Sequence, residues 1–167
     1  MPLSVEDLRF AVNDARERHK ATVDLIGRID QQALSLLQLY VTLAGAALSG
    51  AGVILLSAQS GYPRALGFGL IGFAAPLVFG AVLCVATIWP AAVNLPGRDP
   101  DFWLWATHDG VQAQDVYRSY LEALAPKAKQ NVELNLRMSR LMLVAKIAGI
   151  AAPLLGAFGA AIAMRSI

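Results

Sequence analysis

Charge is distributed along this chain in a way that few folds tolerate. Between Gln31 and Arg98 the single charged residue is Arg64, and from Leu141 onward only Lys146 and Arg165 carry charge. Neither region holds an acid, and a carboxylate at bilayer depth is costly and rare. The apolar mass is gathered into blocks, which is how membrane spans look in sequence. The overall balance agrees, with 56% hydrophobic residues against 16% charged. Three spans fit: 33–56, 65–89 and 141–164. Each offers roughly 24 residues, about 36 Å of helix, enough for a hydrocarbon core of about 30 Å with some tilt. The link 57–64 is short and contains Gly61 and Pro63, which makes the first two spans a hairpin. The first apolar run follows a charged segment and is too long for a signal-peptide core, so it is retained.

Orientation follows from the basic residues. Arg9, Arg16, Arg18, Lys20 and Arg28 precede span one, and Arg98, Arg118, Lys127, Lys129, Arg137 and Arg140 lie between spans two and three. The positive-inside rule places both segments in the cytoplasm and the C-terminus outside. Tyr62, Trp89 and Trp103 are the candidate interfacial anchors. The lone cysteine, Cys84, falls in an apolar run and reads as a small packing residue. A net charge of +2 argues against wholesale nucleic-acid binding.

The charged segments are themselves helical. Ser4 before Glu6 and Asp7 reads as a helix start. From there a seam steps by threes and fours through Val5, Leu8, Val12, Ala15, His19, Thr22, Ile26, Ile29, Ala33 and Leu36. It passes into span one without a stop signal, so one helix covers 4–56, with Gly27 a weak point. In the middle segment, 94–101 reads as a loop. Asp109 with Gln112 resembles a capping box opening a helix over 110–125, and Pro126 suits the first turn of another. The expected fold is therefore an all-α membrane protein. Three transmembrane helices join a cytoplasmic bundle formed by 1–32 and 94–140, in one domain over 1–167.

Several short features together carry a family resemblance. Asp30-Gln31-Gln32-Ala33 with Leu36-Leu37 stands at the entry to span one, Pro90 ends the hairpin, and Tyr117 to Leu124 precedes Asn131 and a run to Lys146. This pattern resembles the Pycsar transmembrane effectors of bacterial pyrimidine-cyclase antiphage systems, over nearly the whole chain. Gln32 departs from it, standing where that family has a lysine. The resemblance implies a protein that senses a cyclic pyrimidine nucleotide after phage infection and then impairs the inner membrane. Three spans per chain cannot enclose a wide pore, so such an effector acts as a homo-oligomer in the lipid bilayer.

A cyclic mononucleotide needs cations for its phosphate and an aromatic face for its base. The basic residues of both charged segments supply the first; Tyr117, Tyr120, Trp103 and Trp105 are the nearby rings. Within that set the candidate ligand-binding residues are Arg28, Asp30, Arg118, Lys127, Arg137 and Arg140. Asn131, Asn135, Ser139 and Lys146 trace a polar stripe into span three, so Lys146, Gln38 and Asn135 are candidate packing or gating residues. Lys146 either snorkels or meets Asp30 or Gln38. His19 reads as a polar packing residue and Thr22 as a hydroxyl bonded to its own helix.

Other signals are bland. Gly67 to Gly72 spells GxGxxG, without the preceding strand or following acid that dinucleotide binding requires, and reads as helix packing. Gly45 with Ser49, and Gly156 with Ala160, are small-xxx-small pairs suited to packing within the chain or between copies. No nucleophile–base pair or metal-ligand cluster stands out, so an enzyme is not expected. The alternative to an effector is an accessory membrane subunit whose cytoplasmic bundle docks a partner protein without sensing a ligand. A transporter ranks third, since the spans lack paired carboxylates and repeat symmetry, although Pro76 and Pro153 interrupt two of them.

Overall fold

The computed structural model describes residues 4–57, 61–89 and 91–166. Among these the chain is all-helical, with α1 (Val5–Leu56), α2 (Arg64–Ile88), α3 (Pro100–Ala106) and α4 (Ala113–Ser166) in that order. Helices α1, α2 and α4 are each long and apolar enough to cross a membrane. Pro90 and part of the link between α1 and α2 lie outside the described residues.

Helix α1 is the single uninterrupted element that its seam requires. Ser4 Oγ accepts the Asp7 amide at 3.1 Å, while the Asp7 carboxylate accepts the Ser4 amide at 3.1 Å and its hydroxyl at 2.6 Å. This reciprocal pair is a capping box with Asp in the acidic position. The Ser4 donors hold the Asp7 carboxyl below its ordinary value. The seam residues His19, Ile26 and Ala33 are buried, and the helix runs through Gly27 without a break.

The middle segment departs from expectation in three places. Helix α4 opens at Ala113 rather than at 110. Gly110 sits at φ +92°, outside helical backbone space, and the first helical carbonyl is that of Gln112, which accepts the amides of Asp115 and Val116. Pro126 does not begin a new helix; α4 continues through it for 54 residues. A proline costs an interior helix one donor and a local adjustment, and Ala123, Leu124, Ala125 and Ala128 around it are strong helix formers. Pro76 and Pro153 likewise lie inside unbroken α2 and α4. Finally, α3 occupies the end of the stretch read as loop, with Pro100 in its first turn and the Phe102 amide bonded to the Asp99 carbonyl at 3.1 Å.

The chain divides into two compact units, Met1–Arg28 with Ala91–Arg137, and Ile29–Pro90 with Met138–Ile167. The first contains most of the charge and the second the apolar blocks, so we refer to them as the charged and the apolar unit.

The apolar unit is built on small residues. Its core includes Ala33, Ala44, Ala47, Ala74, Ala81, Ala145 and Ala152. Lipid is as apolar as leucine, so helices in a bilayer associate through close packing rather than through exclusion of water. Where α2 crosses α4, glycine faces glycine. A Cβ on Gly72 would stand 2.7 Å from the Leu155 carbonyl oxygen, and one on Gly156 would stand 3.1 Å from that of Gly69. The GxGxxG stretch is thus a packing surface. Deeper in the unit the Tyr40 ring of α1 fills the space left by Gly80 of α2 and Gly149 of α4, both of which would strike it if they carried a side chain. The Tyr40 hydroxyl donates to the Ala145 carbonyl at 2.9 Å. A helical carbonyl has a second lone pair free, and the phenol needs a partner once it is away from water.

Candidate ligand cleft

The two most deeply buried side chains of the charged unit are polar, and Ile26, Tyr120 and Leu124 are buried in the same unit. His19 is 1% exposed and Asn131 is 0% exposed, and both side chains converge on the main chain of Asn94, in the loop before α3. Asn131 Oδ1 accepts the Asn94 amide at 3.0 Å, and its Nδ2 donates to the Asn94 carbonyl at 2.8 Å. One carboxamide therefore satisfies both main-chain groups of a single residue. His19 Nε2 lies 2.9 Å from the same carbonyl oxygen. A carbonyl can only accept, so Nε2 carries the proton and the imidazole donates. Asn94 completes the clamp by donating its own side-chain amide to Gln130 Oε1 at 2.9 Å. Four hydrogen bonds to one loop residue, three of them from the fully buried side chains of His19 and Asn131, fix where the chain departs toward α3.

With Nε2 committed to the Asn94 carbonyl, the ring leaves Nδ1 buried and without a hydrogen-bond partner. An unmet buried polar atom costs about 1–3 kcal/mol.

Beside this clamp, α1 and α4 part to leave a cleft of about 620 Å³. Ala15, Arg18, His19 and Thr22 form one wall, and Leu121, Leu124, Ala125, Ala128, Lys129, Val132 and Glu133 the other. Alanines at facing positions leave the room; bulkier residues would close it. The Thr22 hydroxyl turns back to the Arg18 carbonyl at 3.0 Å, as its helical position predicts, so the floor is largely apolar. Arg18, Lys129 and Glu133 are exposed at the walls. The arrangement offers an apolar slot, two cations, one carboxylate and a buried imidazole, which suits a small anionic molecule with a flat apolar part.

The six candidate ligand residues read from sequence are divided between the two units. Arg28, Arg118, Lys127 and Arg137 belong to the charged unit and Asp30 and Arg140 to the apolar one. None of the six lines the cleft. Arg118 is engaged with Glu122 at 2.9 Å, on the open helix surface. Burial pushes the Asp30 carboxyl above its ordinary value.

The polar stripe also divides: Asn131 is buried and Asn135 half-buried, whereas Ser139 and Lys146 are exposed. Fifteen residues at about 100° each return about 60° off the starting direction, so the stripe drifts around the helix while its two ends differ in burial. Asn135 Oδ1 is buried without a partner. Lys146 and Gln38 are exposed, and among the described residues neither Asp30 nor Gln38 forms a hydrogen bond or ion pair with Lys146. The cleft cations Arg18 and Lys129 were present in the sequence only as members of a long list of basic residues. What singles them out is their spacing across two helices distant in sequence.

Comparison with known families decides what kind of chain this is. The Pycsar effector protein domain matches residues 14–151, a span that includes every residue of the cleft and clamp. The chain belongs to the Pycsar effector protein domain family. No curated protein and no solved structure matches it. Membership in the Pycsar effector family points to an effector of antiphage defence, and the three apolar helices to a multi-pass membrane protein. The Pycsar effector domain is not a known catalytic family.

Proposed function

We propose that this Pycsar effector senses a cyclic pyrimidine mononucleotide in the α1–α4 cleft and, in response, impairs the bacterial inner membrane as an oligomer. The observation that carries the reading is the cleft itself. It lies in the charged unit and has room and an apolar floor for a nucleotide base, and the exposed Arg18 and Lys129 on its walls support recognition of a cyclic phosphate. The basic-residue asymmetry supports a cytoplasmic position for that unit, with an external C-terminus. A ligand that bridges α1 and α4 engages the two helices that continue into the apolar unit. Such a ligand has a direct route to helix packing in the bilayer.

The test uses the full chain in detergent or nanodiscs, titrated with cyclic CMP, cyclic UMP and their purine counterparts. A pyrimidine ligand should raise the melting temperature. Arg18→Ala and Lys129→Ala should each weaken binding about tenfold, equivalent to about 1.4 kcal/mol, while Arg16→Ala, outside the cleft, should not. Dye release from vesicles carrying the protein should follow binding. No response to any cyclic mononucleotide would favour the accessory-subunit reading. Reporter fusions at the two termini test the orientation, and agreement between them would overturn it.

A further inference from the structure

Helix α3 and the loop before it present large apolar side chains to the outside of the charged unit. Leu95 is 71% exposed, Trp103 52%, Leu104 65% and Trp105 37%. The backing of this patch is fixed. Phe102 lies edge-on to Trp103 at 5.2 Å between ring centroids, and both rings reach Tyr120 of α4, at 6.2 and 6.4 Å. The Arg98 guanidinium of this half-buried residue lies 4.2 Å from the centre of the Phe102 ring, and its Nε is buried without a hydrogen-bond partner. The exposed charged residues within this stretch of sequence are acidic, Asp99 and Asp101. A soluble protein seldom leaves two tryptophans and two leucines together in water.

We propose that α3 is a membrane-surface element, which lays Leu95, Trp103, Leu104 and Trp105 into the interfacial layer of the same bilayer that the chain crosses. The chain itself argues for this occupant. Helix α2 ends at Ile88 with the exposed Trp89 after it, a residue type that settles at the membrane–water boundary. Leu95 follows Ile88 by seven positions, which extended chain spans in at most about 25 Å. Leu95 is thus within chain reach of the boundary that Trp89 favours. Tryptophan suits that layer because its ring is apolar and its indole N–H stays within reach of water and ester groups. With Arg98 half-buried over Phe102 and the acids exposed, the attraction is apolar rather than electrostatic. The contact should then be indifferent to lipid charge.

The experiment is tryptophan fluorescence of the full chain reconstituted in vesicles, using single-tryptophan proteins. Trp89→Phe with Trp105→Phe leaves Trp103 alone; Trp103→Phe with Trp105→Phe leaves Trp89 as the span-end reference. Phospholipids brominated near the ester end of the chain should quench Trp103 to within a factor of about two of Trp89, in phosphatidylcholine alone and with phosphatidylglycerol added. Quenching of Trp103 by aqueous acrylamide but not by bromolipid would overturn the proposal. So would protection from both, which would mean that protein covers the patch, and so would quenching confined to anionic vesicles. No ligand enters the measurement, so its outcome is independent of whether the cleft binds a nucleotide.

Discussion

The two units differ in what they bury most deeply. At the centre of the apolar unit, alanine and glycine bring backbones together around one tyrosine ring. At the centre of the charged unit, a histidine and an asparagine are spent on the main chain of one loop residue. The difference has a physical cause. In lipid, apolar bulk has no preference for the interior, and specificity comes from how closely helices approach. In water, apolar residues gather without instruction, and a satisfied polar network selects one arrangement of the elements among several. The apolar unit is accordingly sensitive to volume and the charged unit to hydrogen bonding.

That contrast can be broken by substitution. The largest effect is expected at the glycine crossing of α2 and α4. Gly72→Leu drives a side chain into the Leu155 carbonyl, at or above the top of the about 1–3 kcal/mol that overpacking costs, and should abolish a cooperative melt in detergent. Gly45→Leu is the control, because nothing lies within 4 Å of a Cβ there. If both variants melt alike, close helix approach is not what holds the unit. Next is Asn131→Ala, which leaves the Asn94 amide unmet at a cost of about 1–3 kcal/mol. It should raise amide exchange through the loop before α3 and spare the apolar unit.

Tyr40→Phe sharpens the comparison. It keeps the ring and removes one hydrogen bond, worth about 0.5–1.5 kcal/mol, so it should cost less than Asn131→Ala. The reverse order, read from thermal unfolding of the two variants, would mean that the apolar unit also depends on polar contacts. The smallest effect is at the α1 start. The Asp7 carboxyl is held below its ordinary value in the fold, so its contribution is present above the unfolded value and disappears as pH falls through the folded one. Amide exchange in the first turn of α1 should rise across that acid range, and Ser4→Ala, which removes the hydroxyl but keeps the main-chain amide bond, should reduce the pH dependence.

The fold was legible wherever a periodic signal ran long. The seam from Val5 to Leu36 and the charge-free blocks carry α1, α2 and the end of α4, because each repeats one statement over many turns. Local punctuation was less reliable. Pro126 is a strong stop signal in isolation, yet the alanine-rich residues around it and the continuation of α4 override it. Helix α3 is too short to display a period. The clamp left no trace in the sequence because its focus is the backbone of Asn94, and main-chain groups are the same at every residue. The cleft was hidden for a related reason. It is made by what Ala15, Ala125 and Ala128 lack, and an alanine facing a gap reads the same as one facing a neighbour.

Pro126 matters beyond the start of a helix it was expected to mark. Without an N–H it cannot bond the carbonyl four residues back, that of Glu122, so the ladder of α4 lacks a rung between those positions. A rod flexes first where a brace is missing, and here the missing brace lies between Leu121 and Ala128, along the wall of the cleft. Bending in this stretch breaks no further backbone bond at that rung. One wall of the cleft thus includes one of the two places where a proline removes a rung from a helix 54 residues long, the other being Pro153.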